Sequence, residues 1–273
     1  MAAKPRQSNR KAEDSRAPEK VRASRVHARG GRLTGKVAVV TGGNRGIGLA
    51  IACALVGEGC SVLITGRDSV ALKKARSELS KIASGFHARP KVLAQSCEVR
   101  EADSVAAVFA LVKKHWGRLD ILINNAGISQ AMFPVEKTPL DVWRSVLDIN
   151  LTGLFLCSRA AIPLMPRGAT IVNNLSVAAR QIFPNFAAYN ASKHGALGFT
   201  LTLREELIPK GIRVTALMPG ATDTDIWNQF WPDAPRKKMI EPESVAQAIL
   251  YAVLLAQNAN LSEMTVVPME GAL

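Results

Sequence analysis

Residues 36–68 read KVAVVTGGNRGIGLAIACALVGEGCSVLITGRD, and the fold follows from how this stretch is punctuated. KVAVVT is a short β-branched run of strand length that passes directly into TGGNRGIG. Glycines at 42, 46 and 48 let the backbone turn tightly and approach a ligand closely, and helical apolar spacing begins near Ile47. SVLIT then supplies a second strand. A strand, a glycine loop that opens a helix, and another strand form a unit that places a pyrophosphate on the helix N-terminus. Gly42, Asn44, Arg45, Gly46, Ile47 and Gly48 are therefore candidate dinucleotide contacts.

The same alternation runs to the end of the chain. VLAQS, DILIN, TIVNNL, RVTALM and MTVV read as further strands. Between them lie helical stretches such as SVALKKARSELSKIA, DSVAAVFALVKKHWG, PLDVWRSVLDINLTGLFLCSRAAI and ESVAQAILYAVLLAQ. Residues 34–273 thus predict a single α/β domain, a doubly wound Rossmann-type fold with a seven-stranded parallel sheet and helices on both faces. Residues 1–33 differ in kind: they hold ten Lys/Arg against three Asp/Glu, which accounts for +7 of the +13 net charge, and they lack a hydrophobic period. They read as a basic disordered leader, and nucleic-acid contact has no support outside it. No apolar run approaches the roughly 20 residues of a membrane span. The four cysteines lack a Cys-x-x-Cys pair and no export signal precedes them, so they are expected as reduced thiols of a cytoplasmic protein. The four histidines are dispersed, without metal-ligand spacing.

Which dinucleotide is bound depends on the end of the second strand. An acidic residue there would hold a ribose 2′-hydroxyl, but SVLITGRD presents Gly66 and then Arg67. A small residue followed by a guanidinium suits a 2′-phosphate, with Arg45 in reach of the same group. This points to NADP(H), although a small shift of register would bring Asp68 to the ribose. Further on, FAAYNASKHGALGF places Tyr189 and Lys193 four apart, on one helical face. At roughly 5 Å and an effective dielectric of about 20, an ammonium favours phenolate by about 3 kcal/mol, so Tyr189 is expected to have a lowered pKa. His194, next in sequence, points about 100° away and reads as structural.

TGGNRGIG, NNAG at 124–127, Ser176, the Tyr189/Lys193 pair and the PG of MPGATDTDI together resemble the short-chain dehydrogenase/reductase family, in the expected order and over residues 34–273. The resemblance implies a nicotinamide cofactor and a carbonyl/secondary alcohol interconversion. It implies that Ser176 binds and polarises the carbonyl, Tyr189 donates the proton, Lys193 lowers the tyrosine pKa and holds the nicotinamide ribose, and Asn150 anchors a relay water. By the same resemblance Asn125 and Gly127 flank the adenine ribose and Glu98 and Val99 lie near adenine. Pro219 and Gly220 shape the nicotinamide side, and Thr222 and Thr224 contact the cofactor. Arg180 and Gln181 are candidates for a polar substrate group. Trp227, Phe230 and Trp231 in DIWNQFWPDAPRKKM form either an apolar lid over the substrate or a subunit contact. The 3-oxoacyl carrier-protein reductases and the small-carbonyl and 3-hydroxy acid reductases are the resembling types. A homodimer or homotetramer is implied by helix pairing in the family. A nucleotide-binding regulator without turnover is the alternative reading; it would usually lose part of the Ser, Tyr and Lys set, which is complete here.

Overall fold

Val37–Val40 is a run of four small and β-branched residues buried on both faces, which suits the centre of a parallel sheet and nothing else. The computed structural model describes Met1 and residues 31–271. It places this strand, β1, between β2 (Ser61–Gly66) and β4 (Ile121–Asn124), parallel to both. With β3 (Val92–Ser96), β5 (Thr170–Asn174), β6 (Arg213–Pro219) and β7 (Glu263–Val266), the order is β3-β2-β1-β4-β5-β6-β7, every pair parallel. The chain winds outward from β1 to β3, returns to β4 on the other side, and winds outward again. This is the predicted Rossmann-type fold, with its switch point between β1 and β4, where a crevice opens beyond the strand ends.

Helices α1 (Gly46–Gly57), α2 (Ser69–Ala83) and α7 (Pro242–Leu254) cover one face, sharing a core with Val40, Ile64 and Ile123. The other face is covered by α3 (Ala102–Trp116), α5 (Gly153–Ala161) and α6 (Ala187–Leu207), with α4 (Leu140–Leu147) packed on α6. Buried amides cross-link the centre: Asn124 Nδ2 donates to Asn173 Oδ1 at 2.9 Å and to Ser158 Oγ at 3.0 Å, while Asn173 Nδ2 donates to Thr200 Oγ1 at 2.9 Å. These bonds fix β4, β5, α5 and α6 relative to one another.

Three expectations change. The continuous helix predicted over 139–162 is broken: α4 ends at Leu147, a π turn occupies Asp148–Thr152, and α5 starts at Gly153. One wider turn is a backbone register event that side-chain periodicity does not encode. The Leu140–Leu164 rod is also long and apolar enough to cross a bilayer by composition, contrary to expectation, but half of its apolar window is buried inside the fold, as a core helix requires. Finally, the folded unit begins before residue 34: Leu33 is in the core and Arg32 forks onto Glu58 through Nε at 2.9 Å. Most of the predicted leader lies outside the described residues.

Candidate active site

All seven strands point their C-terminal ends at one rim, and a cleft of about 1220 Å³ runs along it. At one end is the loop joining β1 to α1. A Cβ on Gly48 would lie 2.2 Å from the Gly42 carbonyl oxygen and 2.4 Å from Asn125 Nδ2, so only glycine permits this packing. Arg45 precedes α1 in an extended conformation and its side chain does not cap the helix, leaving the first-turn N–H groups facing the cleft. The loop after β4 is tied to this one: Thr41 Oγ1 accepts from the Asn125 and Ala126 N–H groups at 2.9 and 3.0 Å, and Asn125 Nδ2 donates to the Thr41 carbonyl at 3.0 Å. Asn174 braces the far side, donating to Asn125 Oδ1 at 2.9 Å.

The end of β2 shows what Asp68 does locally. Asp68 caps α2, its Oδ1 accepting from Val70 and Ala71 N–H at 2.8 and 3.1 Å, and it also borders the cleft. Gly66 is small for a packing reason: a Cβ there would meet Asn44 Oδ1 at 2.6 Å. Arg45, Arg67 and Lys74 line this end of the cleft. Glu98 lies between Arg67 Nη1 at 3.7 Å and Arg100 Nε at 3.6 Å, loose and partly exposed pairings that contribute little. Its backbone N–H is pinned to Ser104 Oγ at 3.0 Å, next to Val99. Gly127, Pro219, Gly220, Thr222 and Thr224 line the middle of the cleft.

Ser176, Tyr189 and Lys193 meet farther along. Ser176 follows β5 and begins a 3-10 turn, its Oγ accepting from Ala178 N–H at 3.1 Å. Tyr189 and Lys193 lie on the first turns of α6, with Lys193 Nζ 5.5 Å from the phenol ring centroid. Burial pushes the Tyr189 phenol above its ordinary value, partly offset by the Ser176 hydroxyl, and it pulls Lys193 down to about 8. The expected lowering of Tyr189 is thus reversed in this pocket: both groups are withdrawn from water, and desolvation penalises each charged form. Asn150 sits in the π turn behind Lys193. Its side chain accepts from Ile128 N–H and donates to the Ile128 carbonyl, both at 2.9 Å, and donates to Ser192 Oγ at 3.1 Å. Asn150 borders a small pocket shared with Lys193 rather than the main cleft.

At the Tyr189 end of the cleft, Trp227, Phe230 and Trp231 cluster with Phe186, which sequence reasoning missed because it signals nothing locally. Gln181 lines the cleft but Arg180 does not: its Nη2 pairs with Glu263 Oε2 at 2.7 Å on β7, so it is withdrawn as a substrate contact. Gln130 was also missed. Buried below the cleft, its Oε1 accepts from the Tyr189 backbone N–H at 3.0 Å, serving as a cap for α6 supplied from 59 residues away. His194 is structural as expected, its Nδ1 2.9 Å from the Asn190 carbonyl.

Residues 36–235 match the family model described as short chain dehydrogenase. The chain is 38% identical over 197 residues to a 3β-hydroxysteroid dehydrogenase of Mediterraneibacter gnavus, covering 72% of this chain and 69% of that one. It is 36% identical over 227 residues to a 3-oxoacyl-[acyl-carrier-protein] reductase of Synechocystis, covering 80% and 89%. Among solved structures it resembles a short chain dehydrogenase from Burkholderia cenocepacia in complex with NADP, at 30% identity and TM-score 0.78, covering 86% and 97%. It also resembles an alcohol dehydrogenase from Thermococcus sibiricus complexed with 5-hydroxy-NADP, at 26% identity and TM-score 0.78, with the same coverage. The chain belongs to the short chain dehydrogenase family, and is an oxidoreductase of that family.

Proposed function

We propose that the protein is an NADP(H)-dependent oxidoreductase that interconverts a carbonyl and a secondary alcohol, with Tyr189 as the acid/base. One observation carries the reading: Ser176, Tyr189 and Lys193 converge at one end of a cleft whose other end is the glycine loop, with Arg45, Arg67 and Lys74 among its charged lining. The residues fit a dinucleotide phosphate. The Gly48 contact leaves the loop no room for a side chain, the α1 N-terminus faces the cleft uncapped, and Arg45, Arg67 and Lys74 border the place a 2′-phosphate would take, while Asp68 points one carboxylate oxygen at the α2 N-terminus. When bound, the nicotinamide supplies the hydride, so that the ketone is reduced and the dinucleotide oxidised.

The chain's own residues manage the oxygen. As the carbonyl carbon gains a hydride, its π electrons move onto oxygen, and a donor already in place costs nothing to reorganise. Ser176 donates to that oxygen and Tyr189 transfers its proton, later recovering one from solvent. A half-buried phenol whose pKa is pushed up by desolvation holds its proton at neutral pH, as the reductive direction requires. Lys193 remains mostly charged at pH 7 and favours the phenolate that forms. The same reading makes the protein a cytoplasmic homodimer or homotetramer.

Tyr189→Phe separates chemistry from binding. It should lower kcat by about 10² to 10⁴ while the NADPH dissociation constant, measured by fluorescence, changes less than about twofold. Retention of more than a tenth of kcat would reject the mechanism. NADPH should bind at least about tenfold more tightly than NADH, since one charge-assisted phosphate contact contributes about 1.5 to 3 kcal/mol. Equal constants would reject the cofactor assignment.

A further inference from the structure

The two ends of the cleft differ in lining: Arg45, Arg67 and Lys74 with Asp68, Glu78 and Glu98 at the glycine-loop end, and mostly aromatic rings at the other. Beyond Tyr189 and Ser176, the side chains that border the substrate end include Gln181, Phe183, Phe186, Trp227, Phe230 and Trp231. The rings form one series leading to the phenol: Trp231 to Trp227 at 6.0 Å between centroids, Trp227 to Phe230 at 5.1 Å, Phe230 to Phe186 at 5.2 Å, and Phe186 to Tyr189 at 6.4 Å. Phe186 is held in place by a bridge between its backbone and Phe133.

Among the described residues, Lys193 is the one cation lining this end. Arg180 is drawn away to Glu263, and Arg236 is turned back into the aromatic segment, where it donates to Asp223 Oδ1 at 2.9 Å and Asn228 Oδ1 at 2.7 Å. The charges that do line the start of this segment are carboxylates, Asp223 and Asp225. An anionic substrate would find as counterion only Lys193, which is already placed beside Tyr189, and would meet the Asp225 carboxylate, Asp223 being paired with Arg236, whereas an apolar body would lose water against a wall of rings.

Resting on the reductase reading above, we propose that the substrate is an uncharged, bulky apolar ketone, alicyclic or aryl, rather than a 3-oxo acid or a 3-oxoacyl thioester of a phosphorylated carrier. The ketone gains a hydride and a proton and leaves as the secondary alcohol, while NADPH leaves as NADP⁺.

The test uses the full chain with NADPH and three probes: 1-decalone, acetoacetate and acetoacetyl-coenzyme A. The expected result is a kcat/KM for 1-decalone at least about tenfold above either anion, and an increase of about tenfold in KM for 1-decalone in Phe230→Ala. Titration calorimetry of 1-decalone into NADP⁺-saturated protein should give saturable binding. A higher kcat/KM for either anion, or no saturable binding of 1-decalone, overturns the proposal. Binding of 1-decalone without NADPH consumption by any probe would instead reject turnover and leave the apolar ligand class supported, so the two failures are distinguishable.

Discussion

Lys193 carries its ammonium into a site where it is 7% exposed, beside an aromatic ring and without a carboxylate in ion-pair distance among the described residues. A base whose folded pKa is about 8 against 10.5 when unfolded destabilises the fold below pH 8. Between pH 8 and 10.5 the unfolded chain binds the extra proton, so stability rises with pH in that window. Lys193→Met should therefore stabilise the cofactor-free protein by roughly 2 to 3 kcal/mol at pH 7, with the advantage shrinking by pH 10, while turnover is lost. Thermal melts of both proteins at pH 7 and 9.5 check this, and equal Tm values at pH 7 would contradict it. The four-residue spacing made the Tyr189–Lys193 juxtaposition legible in sequence, but spacing says nothing of burial, so the direction of the tyrosine shift was not. Asp68 was ambiguous for a similar reason: whether a carboxylate after a strand reads a ribose or caps a helix depends on where the helix starts, here at Ser69.

Helix α6 delivers both groups, and its start is fixed from outside. Phe186 at the N-cap offers no side-chain acceptor, and Gln130 fills that role toward the third N–H of the helix, that of Tyr189. Gln130→Ala should cost about 1 kcal/mol of stability, as loss of a cap does. It should also lower kcat about tenfold, because the phenol is no longer held in register, while the NADPH dissociation constant holds. Stopped-flow turnover beside a binding titration measures both; a parallel loss of cofactor affinity would mean that Gln130 supports the cleft as a whole. The strands and helices were legible because their apolar periods are local. The contact from Gln130 to Tyr189, the outward turn of Arg180 and the π turn at Asp148–Thr152 were not, since each depends on tertiary placement or backbone register.

For the molecule as a whole, the outer face of α5 is unusual. Phe155 is 40% exposed, edge-on to Phe199 of α6 at 6.0 Å, with the Arg159 guanidinium 5.2 Å above its ring. An amphipathic aromatic and Arg patch is the composition that interface centres favour. Light scattering at micromolar concentration should return two or four times 29.3 kDa, and Phe155→Glu should shift the population toward the monomer. A monomeric wild-type mass would reject the assembly. The aromatic segment has the opposite relation to the fold. Between β6 and α7, residues 223–239 contribute no member to the three buried clusters on which the sheet and its helices rest. Ala234 and Met239 of the segment are buried and so are constrained, while its other described positions can diverge at less cost to folding than the sheet can, so the lining of the cleft can change without the sheet being rebuilt.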